Sequence, residues 1–200
     1  MDLFSQNSLP NILPFDGTVH YYGKIFSQEQ STDYFDKLFH HIEWRHDEAV
    51  LYGKHYVTKR KVAWYGDSPF EYRYSGTTKQ ALPWTPALKE LKAIVEAKSG
   101  NIFNSCLLNL YHEGSEGMAW HSDGEKMLGD DPIVTSLTFG AERKFSFKHK
   151  TTKQTVSLIL ENGSLLVMRE GSQKNWLHRL PPTKKVTRPR ISLTFRRIIE

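Results

Sequence analysis

The chain contains a triplet, His121-Ser122-Asp123, whose first and third side chains are both common metal ligands. If the triplet is extended, these two side chains point the same way, because side chains alternate along a strand. An imidazole and a carboxylate so placed can occupy neighbouring positions on one metal ion. A second histidine from a distant strand would complete a facial set of two histidines and one carboxylate, which leaves three positions open and suits non-haem Fe(II).

Three further histidines are candidates for that second imidazole: His112, His149 and His178. We favour His178, because it begins a new strand after the hairpin predicted at 163–171. The alternative is that the triplet occurs by chance, since the chain has nine histidines. Its histidine would then be an ordinary surface or core residue.

The C-terminal run Arg190–Arg196 alternates strictly between apolar and polar residues, which predicts a strand. Its polar face carries Arg190, Ser192, Thr194 and Arg196. An ordinary surface strand would show the same alternation. Two arginines on one face nevertheless suit a dicarboxylate pocket, because guanidinium groups bind carboxylates through paired hydrogen bonds. The arginines are roughly 20 Å apart along the strand, so both must lean inward.

Two helices and an edge strand are predicted before the metal triplet. The edge strand spans 18–26, and Ser27 with Gln30 forms a capping box that begins a helix reaching about Trp44. The second helix has Thr85 as its N-cap and proline in its first turn, and Gly100 ends it.

The second half of the chain reads as a series of short strands separated by turn residues. The predicted strands are 105–111, 133–139, 144–148, 155–160, 164–168 and 190–198. Residues 45–84, rich in Lys, Arg, Tyr and Gly, predict a lid of short strands and loops. We therefore predict an α+β protein with a double-sheet jelly-roll core. Residues 1–15 are expected to be a loose N-terminus, and 16–200 a single domain whose core is 103–198.

The composition is that of a globular protein with a basic surface. The net charge of +5 favours polyanionic partners such as nucleic acid, although a mildly basic solvated surface has the same charge. The single cysteine, Cys106, excludes an internal disulfide and is expected to be a buried thiol. No stretch approaches the roughly 20 apolar residues that span a bilayer. We expect a soluble intracellular monomer without a membrane partner, cytoplasmic in a bacterium or nuclear in a eukaryote.

Several motifs occur together in an order that resembles the AlkB family of oxidative nucleic-acid dealkylases, most closely its duplex-DNA repair branch. The similarity covers about 50–198. The motifs that carry it are Tyr65-Gly66-Asp67, Tyr74-Ser75-Gly76, Phe103-Asn104, Asn109-Leu110-Tyr111, His121-Ser122-Asp123, Gly163-Ser164-Leu165-Leu166, His178 and Arg190 with Arg196.

The resemblance implies a jelly-roll dioxygenase that uses Fe(II), 2-oxoglutarate and O2. It implies that His121, Asp123 and His178 bind the iron. The residues that it places around 2-oxoglutarate are Asn109, Tyr111, Arg190, Thr194 and Arg196. Ser192, also expected in the cosubstrate pocket, stands where the family often has asparagine; serine keeps a hydrogen-bonding group but is shorter.

The resemblance also implies a substrate, an alkylated base flipped out of double-stranded DNA. It places Tyr72 and Tyr74 at the base, with the ring of His121 opposite, and Glu125 within reach of an exocyclic amine. The segment 50–54 resembles a hairpin finger whose aromatic residue, Tyr52, fills the gap in the stack. Lys54 and Arg60 are predicted to contact nearby phosphates.

The implied activity is oxidative demethylation in DNA repair. Substrates of the 1-methyladenine and 3-methylcytosine type are converted to the repaired base and formaldehyde, while 2-oxoglutarate gives succinate and CO2. Two alternatives stay open: the same chemistry on RNA, protein or a small molecule, and a nucleic-acid-binding module without activity.

Overall fold

The structure, a computed structural model, describes residues 9–51, 54–74 and 77–199. The elements in chain order are β1 (Thr18–Lys24), α1 (Gln28–His41), β2 (Arg45–Leu51), β3 (Lys54–Gly66), β4 (Glu71–Tyr74), β5 (Thr77–Gln80), β6 (Leu82–Pro83), α2 (Pro86–Ser99), β7 (Ser105–Tyr111), β8 (Met118–His121), β9 (Val134–Gly140), β10 (Arg143–His149), β11 (Thr155–Leu160), β12 (Ser164–Arg169), α3 (Ser172–Asn175), β13 (Trp176–Leu180) and β14 (Arg190–Arg196).

Most strands belong to two sheets that face each other. The large sheet has the order β1-β12-β9-β14-β7-β3-β2, with β6 added in parallel to β3, and the small sheet has the order β11-β10-β13-β8. Strands β4 and β5 form a separate hairpin. Apolar side chains from both sheets form one core cluster between them, including Leu166, Met168, Phe147 and Trp176. This two-sheet arrangement with few helices confirms the predicted jelly-roll core.

Helices α1 and α2 cover the other face of the large sheet. Leu38 of α1 and Leu88 and Leu91 of α2 belong to a second core cluster that includes Leu193 and Phe195 of β14. Their N-termini are capped as predicted: Ser27 and Gln30 form the capping box, and the Thr85 side chain accepts a hydrogen bond from the Leu88 amide. The left-handed Gly100 ends α2, also as predicted.

Helix α1 and strand β3 differ from their predicted extents. Helix α1 ends at His41 and not near Trp44, because Ile42 takes an extended conformation and the chain leaves the helix there. Strand β3 is 13 residues long, not one of several short strands, because its second half pairs with β7 in the large sheet. The weak periodicity of this segment did not reveal that long-range pairing.

The N-terminal strand lies at a sheet edge, as the sequence predicts, although it ends at Lys24 and not at Phe26. β1 lies at an edge of the large sheet and pairs with β12 alone among the described strands. Gly163, just before β12, has φ +75, and an added Cβ there would lie 2.3 Å from Ser31 Oγ of α1. A glycine is therefore required for α1 to pack closely at this corner. None of the helices in the described ranges has the length and apolarity to cross a membrane.

Candidate active site

A cavity of about 390 Å³ lies between the two sheets. One wall is the inner face of the large sheet, where β7 and β14 are paired with Asn109 opposite Ser192 and Tyr111 opposite Arg190. The strict alternation of β14 places all four of its polar side chains on this wall: Arg190, Ser192, Thr194 and Arg196. The opposite wall includes residues of the small sheet, among them His121 and His178. The polar face of β14 therefore faces an internal cavity and not bulk solvent.

The predicted metal ligands come together in this cavity. One ligand atom from each of His121, Asp123 and His178 lies within 4.8 Å of the others. The two histidines are directly paired across β8 and β13, and His178 lies in the middle of its strand, not at its start as predicted. Oxygen Oδ2 of Asp123 is buried without a hydrogen-bond partner in the described part of the chain, 3.6 Å from His178 Nε2. A buried, unpartnered carboxylate oxygen beside two imidazoles is suited to a divalent cation.

The other two histidine candidates are placed elsewhere. The ring of His112 contacts the carboxylate of Glu116 at 3.1 Å. The ring of His149 accepts a hydrogen bond from the Thr152 amide and packs edge-on against Trp176. Within the described ranges, the cluster of His121, Asp123 and His178 is the one group of three such side chains close enough to hold a metal.

Hydrogen bonds from neighbouring groups orient the triplet. Nδ1 of His121 lies 2.9 Å from the Ala119 carbonyl, which only accepts, so Nδ1 must carry the proton and Nε2 is left for a metal. The Asp123 amide donates to Oε1 of Gln173 at 2.9 Å. Lys150 donates to both Ser122 Oγ and the Gln173 carbonyl, at 3.1 and 2.8 Å. Gln173 and Lys150 thus hold the segment that carries two of the ligands.

Sequence reasoning missed the role of Gln173. It lies on α3, a helix of four residues, and is only 3% exposed. Neither its residue type nor its spacing from the triplet marks it, since the contact spans 50 positions in the chain. Lys150 is likewise distant in sequence, 28 positions from Ser122, so no local pattern marks it as a support of the triplet.

The electrostatics keep the ligands in metal-binding form. Burial alone would raise the pKa of Asp123, but the nearby charges of Arg196, His178 and His121 outweigh it and hold that pKa below its ordinary value. Burial lowers the pKa of His178 to about 3, with Asp123 opposing that effect. Near neutral pH the site therefore offers a carboxylate and a neutral imidazole, the forms that bind metals.

Arg190 is the most deeply buried cation of the cavity wall. It is 2% exposed, and burial lowers its pKa to about 10. It donates to Thr138 Oγ1 at 2.9 Å and Ser192 Oγ at 3.4 Å, and its guanidinium lies over the Tyr111 ring. None of the ion pairs found in the described ranges involves Arg190. A buried guanidinium with only neutral partners favours an anionic ligand.

The remaining predicted cosubstrate residues surround the same space. Arg196 forms an ion pair with Oδ1 of Asp123, and so connects the β14 wall of the cavity to the cluster of His121, Asp123 and His178. The Ser192 hydroxyl lies 3.3 Å from Ser136 Oγ and also contacts Arg190. Serine at this position therefore positions Arg190, a role within reach of its short side chain. Thr194, Asn109 and Tyr111 also line the cavity.

The predicted substrate residues are only partly described. Glu125 lines the cavity, and its Oε2 is buried without a hydrogen-bond partner in the described part of the chain. Tyr52 lies outside the described residues. For Lys54, Tyr72 and Tyr74 the structure gives the strands, β3 and β4, but no description of the side chains. Arg60 faces the cavity, where it pairs with Asp47 and Asn109, and not an outer surface.

Comparison with protein families gives a match over nearly the whole chain. The family model described as "2OG-Fe(II) oxygenase superfamily" matches residues 18–196. Among solved structures, one described as "The structure of OsALKBH1" superposes with a TM-score of 0.60 over 90% of this chain and 97% of that one. At 15% identity this second likeness concerns the fold alone.

Curated proteins include relatives of substantial identity. The bovine "Alpha-ketoglutarate-dependent dioxygenase alkB homolog 3" is 36% identical over 180 residues, which is 85% of this chain and 62% of the relative. The human "DNA oxidative demethylase ALKBH2" is 34% identical over 189 residues, 89% of this chain and 72% of the relative. The Arabidopsis thaliana protein of the same name is 34% identical over 206 residues, 90% and 66% respectively. The chain thus spans roughly two thirds of the length of these relatives.

Proposed function

We propose that this chain, which belongs to the AlkB family within the 2OG-Fe(II) oxygenase superfamily, removes alkyl groups from DNA bases by oxidation. The observation that carries the proposal is the pairing of two features in one cavity. A buried cluster of two histidines and one aspartate lies there beside a buried arginine without an acidic partner in the described ranges. The relatives named DNA oxidative demethylase support DNA as the substrate.

The residues present fit both groups that the family name describes. His121, Asp123 and His178 would hold Fe(II) as a facial set, and the unpartnered Oδ2 of Asp123 supplies the anionic ligand. Arg190 and Arg196 would each bind one end of 2-oxoglutarate. The wall between them carries hydroxyl and amide groups that can donate to a diacid. When bound together, Fe(II), 2-oxoglutarate and O2 supply the oxidation that puts a hydroxyl group on the alkyl carbon and releases succinate and CO2.

The protein itself orients the metal ligands and shields the cavity from water. Gln173 and the Ala119 carbonyl fix the ligand orientations before a metal binds. Apolar side chains in the cavity wall, among them Leu107, Met118 and Phe145, limit access of water. After hydroxylation of an N-methyl group, the hydroxyl group loses its proton and the C–N bond breaks. Its electron pair stays on the nitrogen of the base, and the carbon leaves as formaldehyde.

Glu125 supports a preference for cationic bases such as 1-methyladenine and 3-methylcytosine. Its buried oxygen has no hydrogen-bond partner in the described ranges, and a positively charged base with an exocyclic amine would supply both charge and a donor. Tyr72 and Tyr74 hold alternate positions in the sequence of strand β4. We propose that they stack on the base, opposite His121.

We also propose that the substrate is double-stranded DNA with the damaged base flipped out. Support comes from sequence: Tyr52 occupies the position of an intercalating aromatic residue between β2 and β3. In this proposal 45–84 is the nucleotide-recognition lid of a single domain, 16–200, and Lys54 contacts phosphate. The net charge of +5 is compatible with a nucleic-acid partner.

The experiment is an assay of matched substrates with metal-reconstituted protein. Oligonucleotides carrying one 1-methyladenine are supplied as duplex DNA, single-stranded DNA and RNA, and formaldehyde and succinate are measured. The proposal predicts equimolar release of both, dependent on Fe(II) and 2-oxoglutarate, with DNA as the best substrate. Succinate formed without formaldehyde on every nucleic acid would indicate a different substrate for the same chemistry.

A second part of the assay tests the role proposed for Tyr52. Tyr52→Ala is expected to impair turnover of the duplex at least several-fold more than that of the single strand, because only the duplex needs its stack filled. Equal losses on both substrates contradict the assignment of Tyr52, and leave the oxidation chemistry itself unaffected.

A further inference from the structure

Arg60 occupies an unexpected position for a residue of a DNA-binding hairpin. It lies on β3, which pairs antiparallel with β2 to form a hairpin. Its side chain is only 11% exposed and lines the cavity. A phosphate contact requires an exposed guanidinium, so this location points to another role.

Two residues fix the Arg60 guanidinium. Nη2 forms an ion pair with Oδ2 of Asp47, from the partner strand β2 of the same hairpin. Nη1 donates a hydrogen bond to Oδ1 of Asn109, on β7 in the centre of the large sheet. Asp47, Arg60 and Asn109, here called the hairpin bridge, therefore connect the recognition hairpin to the cavity wall.

The bridge determines which part of the Asn109 amide faces the cavity. Asn109 is 6% exposed, so its side chain has few ways to turn without losing partners. Because Oδ1 accepts from Arg60, the Nδ2 amino group is the end that can donate to a ligand. The opposite orientation would present a carbonyl oxygen, which repels a carboxylate. Asn109 lies directly opposite Ser192 on β14, between the positions of Arg190 and Thr194.

Charge balance separates this role from direct ligand binding. The Arg60 guanidinium is already paired with the Asp47 carboxylate, whereas Arg190 has no such partner in the described ranges. Both Nη groups of Arg60 bind protein side chains, so it offers an anion little charge and few free donors. Arg196 also has a carboxylate partner, but its buried Nε has no hydrogen-bond partner in the described ranges. Arg60 acts through Asn109, which makes it a positioning residue.

We infer that Asp47 and Arg60 orient the Asn109 amide toward 2-oxoglutarate, and so couple the β2–β3 hairpin to the cosubstrate subsite. The inference rests on the proposed function, since it takes 2-oxoglutarate as the ligand of this cavity. It makes cosubstrate affinity depend on a hairpin residue even when no nucleic acid is present.

The test measures 2-oxoglutarate binding to the Mn(II)-loaded protein by calorimetry in the absence of DNA. Arg60→Met is expected to weaken 2-oxoglutarate binding about 10-fold, the effect of one lost hydrogen bond to a charged group. Arg60→Lys is expected to rescue it poorly, because one ammonium cannot span both partners in the planar geometry of a guanidinium. Asp47→Asn is expected to weaken binding about 3-fold, since it leaves Arg60 in place but without its charged partner.

Lys59→Met is the matched control, since Lys59 is the exposed neighbour on the same strand. It is expected to leave 2-oxoglutarate affinity unchanged. Mn(II) affinity is measured on every variant, and should stay at the wild-type value because none of these residues touches the metal ligands. A loss of Mn(II) binding in both Arg60→Met and Asp47→Asn would contradict the positioning role, because the hairpin would then be supporting the fold as a whole.

The outcomes separate this inference from the proposed function. Unchanged 2-oxoglutarate affinity in Arg60→Met, with weaker oligonucleotide binding and a shallower salt dependence, would make Arg60 a phosphate contact and overturn the inference alone. A wild-type protein that binds Mn(II) but not 2-oxoglutarate would contradict the proposed function itself.

Discussion

The two faces of strand β14 differ sharply although both are inside the protein. Toward the helices, Ile191, Leu193 and Phe195 are each 0% exposed and pack in an apolar cluster. Toward the small sheet, the same strand presents Arg190 and Ser192, which are also buried but line a cavity. The first face follows the ordinary rule for cores, whereas the second places a charge where water is largely excluded.

The apolar face of β14 contributes to stability, whereas its polar face is suited to a ligand. Burying a guanidinium without a carboxylate costs free energy, so Arg190 is poorly explained as a stabilising residue. Its position is explained if an anion binds beside it. We therefore expect substitutions on the polar face to change ligand affinity, and substitutions on the apolar face to change the free energy of unfolding.

The largest effect is expected at the predicted metal ligands, two of which lie on the small-sheet wall of the cavity. His178→Ala removes a ligand directly, and should lower metal affinity and turnover by more than the roughly 10–100-fold seen when supporting residues are changed. Metal binding by calorimetry and formaldehyde release measure this. If the variant binds Fe(II) as tightly as wild type, the cluster is not the metal site.

Arg190→Met tests the polar face of β14. It should weaken 2-oxoglutarate binding at least about 30-fold, because a buried charged contact is lost. The free energy of unfolding should stay the same or rise, since an uncompensated buried charge has been replaced by an apolar side chain. Calorimetry and urea unfolding report the two quantities. A large loss of stability with unchanged 2-oxoglutarate affinity would reverse the assignment of this face.

Gln173→Leu tests the support of the metal ligands. The Asp123 amide would lose its acceptor, and metal affinity is expected to fall about 10- to 100-fold. Gln173→Glu keeps an oxygen at the same position, so it should reduce metal affinity much less. Equal effects of both variants on Mn(II) affinity would mean that volume alone matters at this position.

Leu193→Ala tests the apolar face of β14 and should have the smallest effect on ligand binding. The free energy of unfolding is expected to drop by about 2–5 kcal/mol, because a fully buried leucine leaves a cavity. Affinity for 2-oxoglutarate should stay near the wild-type value in protein that remains folded. A 10-fold loss of that affinity would show that the two faces are not independent.

Much of this arrangement could be predicted from local patterns. The alternation in Arg190–Arg196 assigned each residue to the correct face, and the capping residues Ser27 and Thr85 marked both helix starts. These features depend on neighbours within a few positions of the chain, which is the range over which sequence patterns carry information.

The features that sequence reasoning missed depend on distant contacts. The pairing of β3 with β7, which turns Arg60 into the cavity, joins segments about 45 residues apart and has no local signature. Gln173 supports Asp123 from a position 50 residues away, on a helix too short to predict. In both cases the role of the side chain follows from a contact between segments that are far apart in the sequence.

The cavity between the two sheets is expected to hold a metal and a diacid side by side. A crystal structure of the protein with Mn(II) and 2-oxoglutarate tests this arrangement. We expect Mn(II) bound by His121, Asp123 and His178, with a 2-oxoglutarate carboxylate on the Arg190 guanidinium. Mn(II) bound elsewhere, or a diacid that leaves Arg190 without an anionic partner, would contradict it.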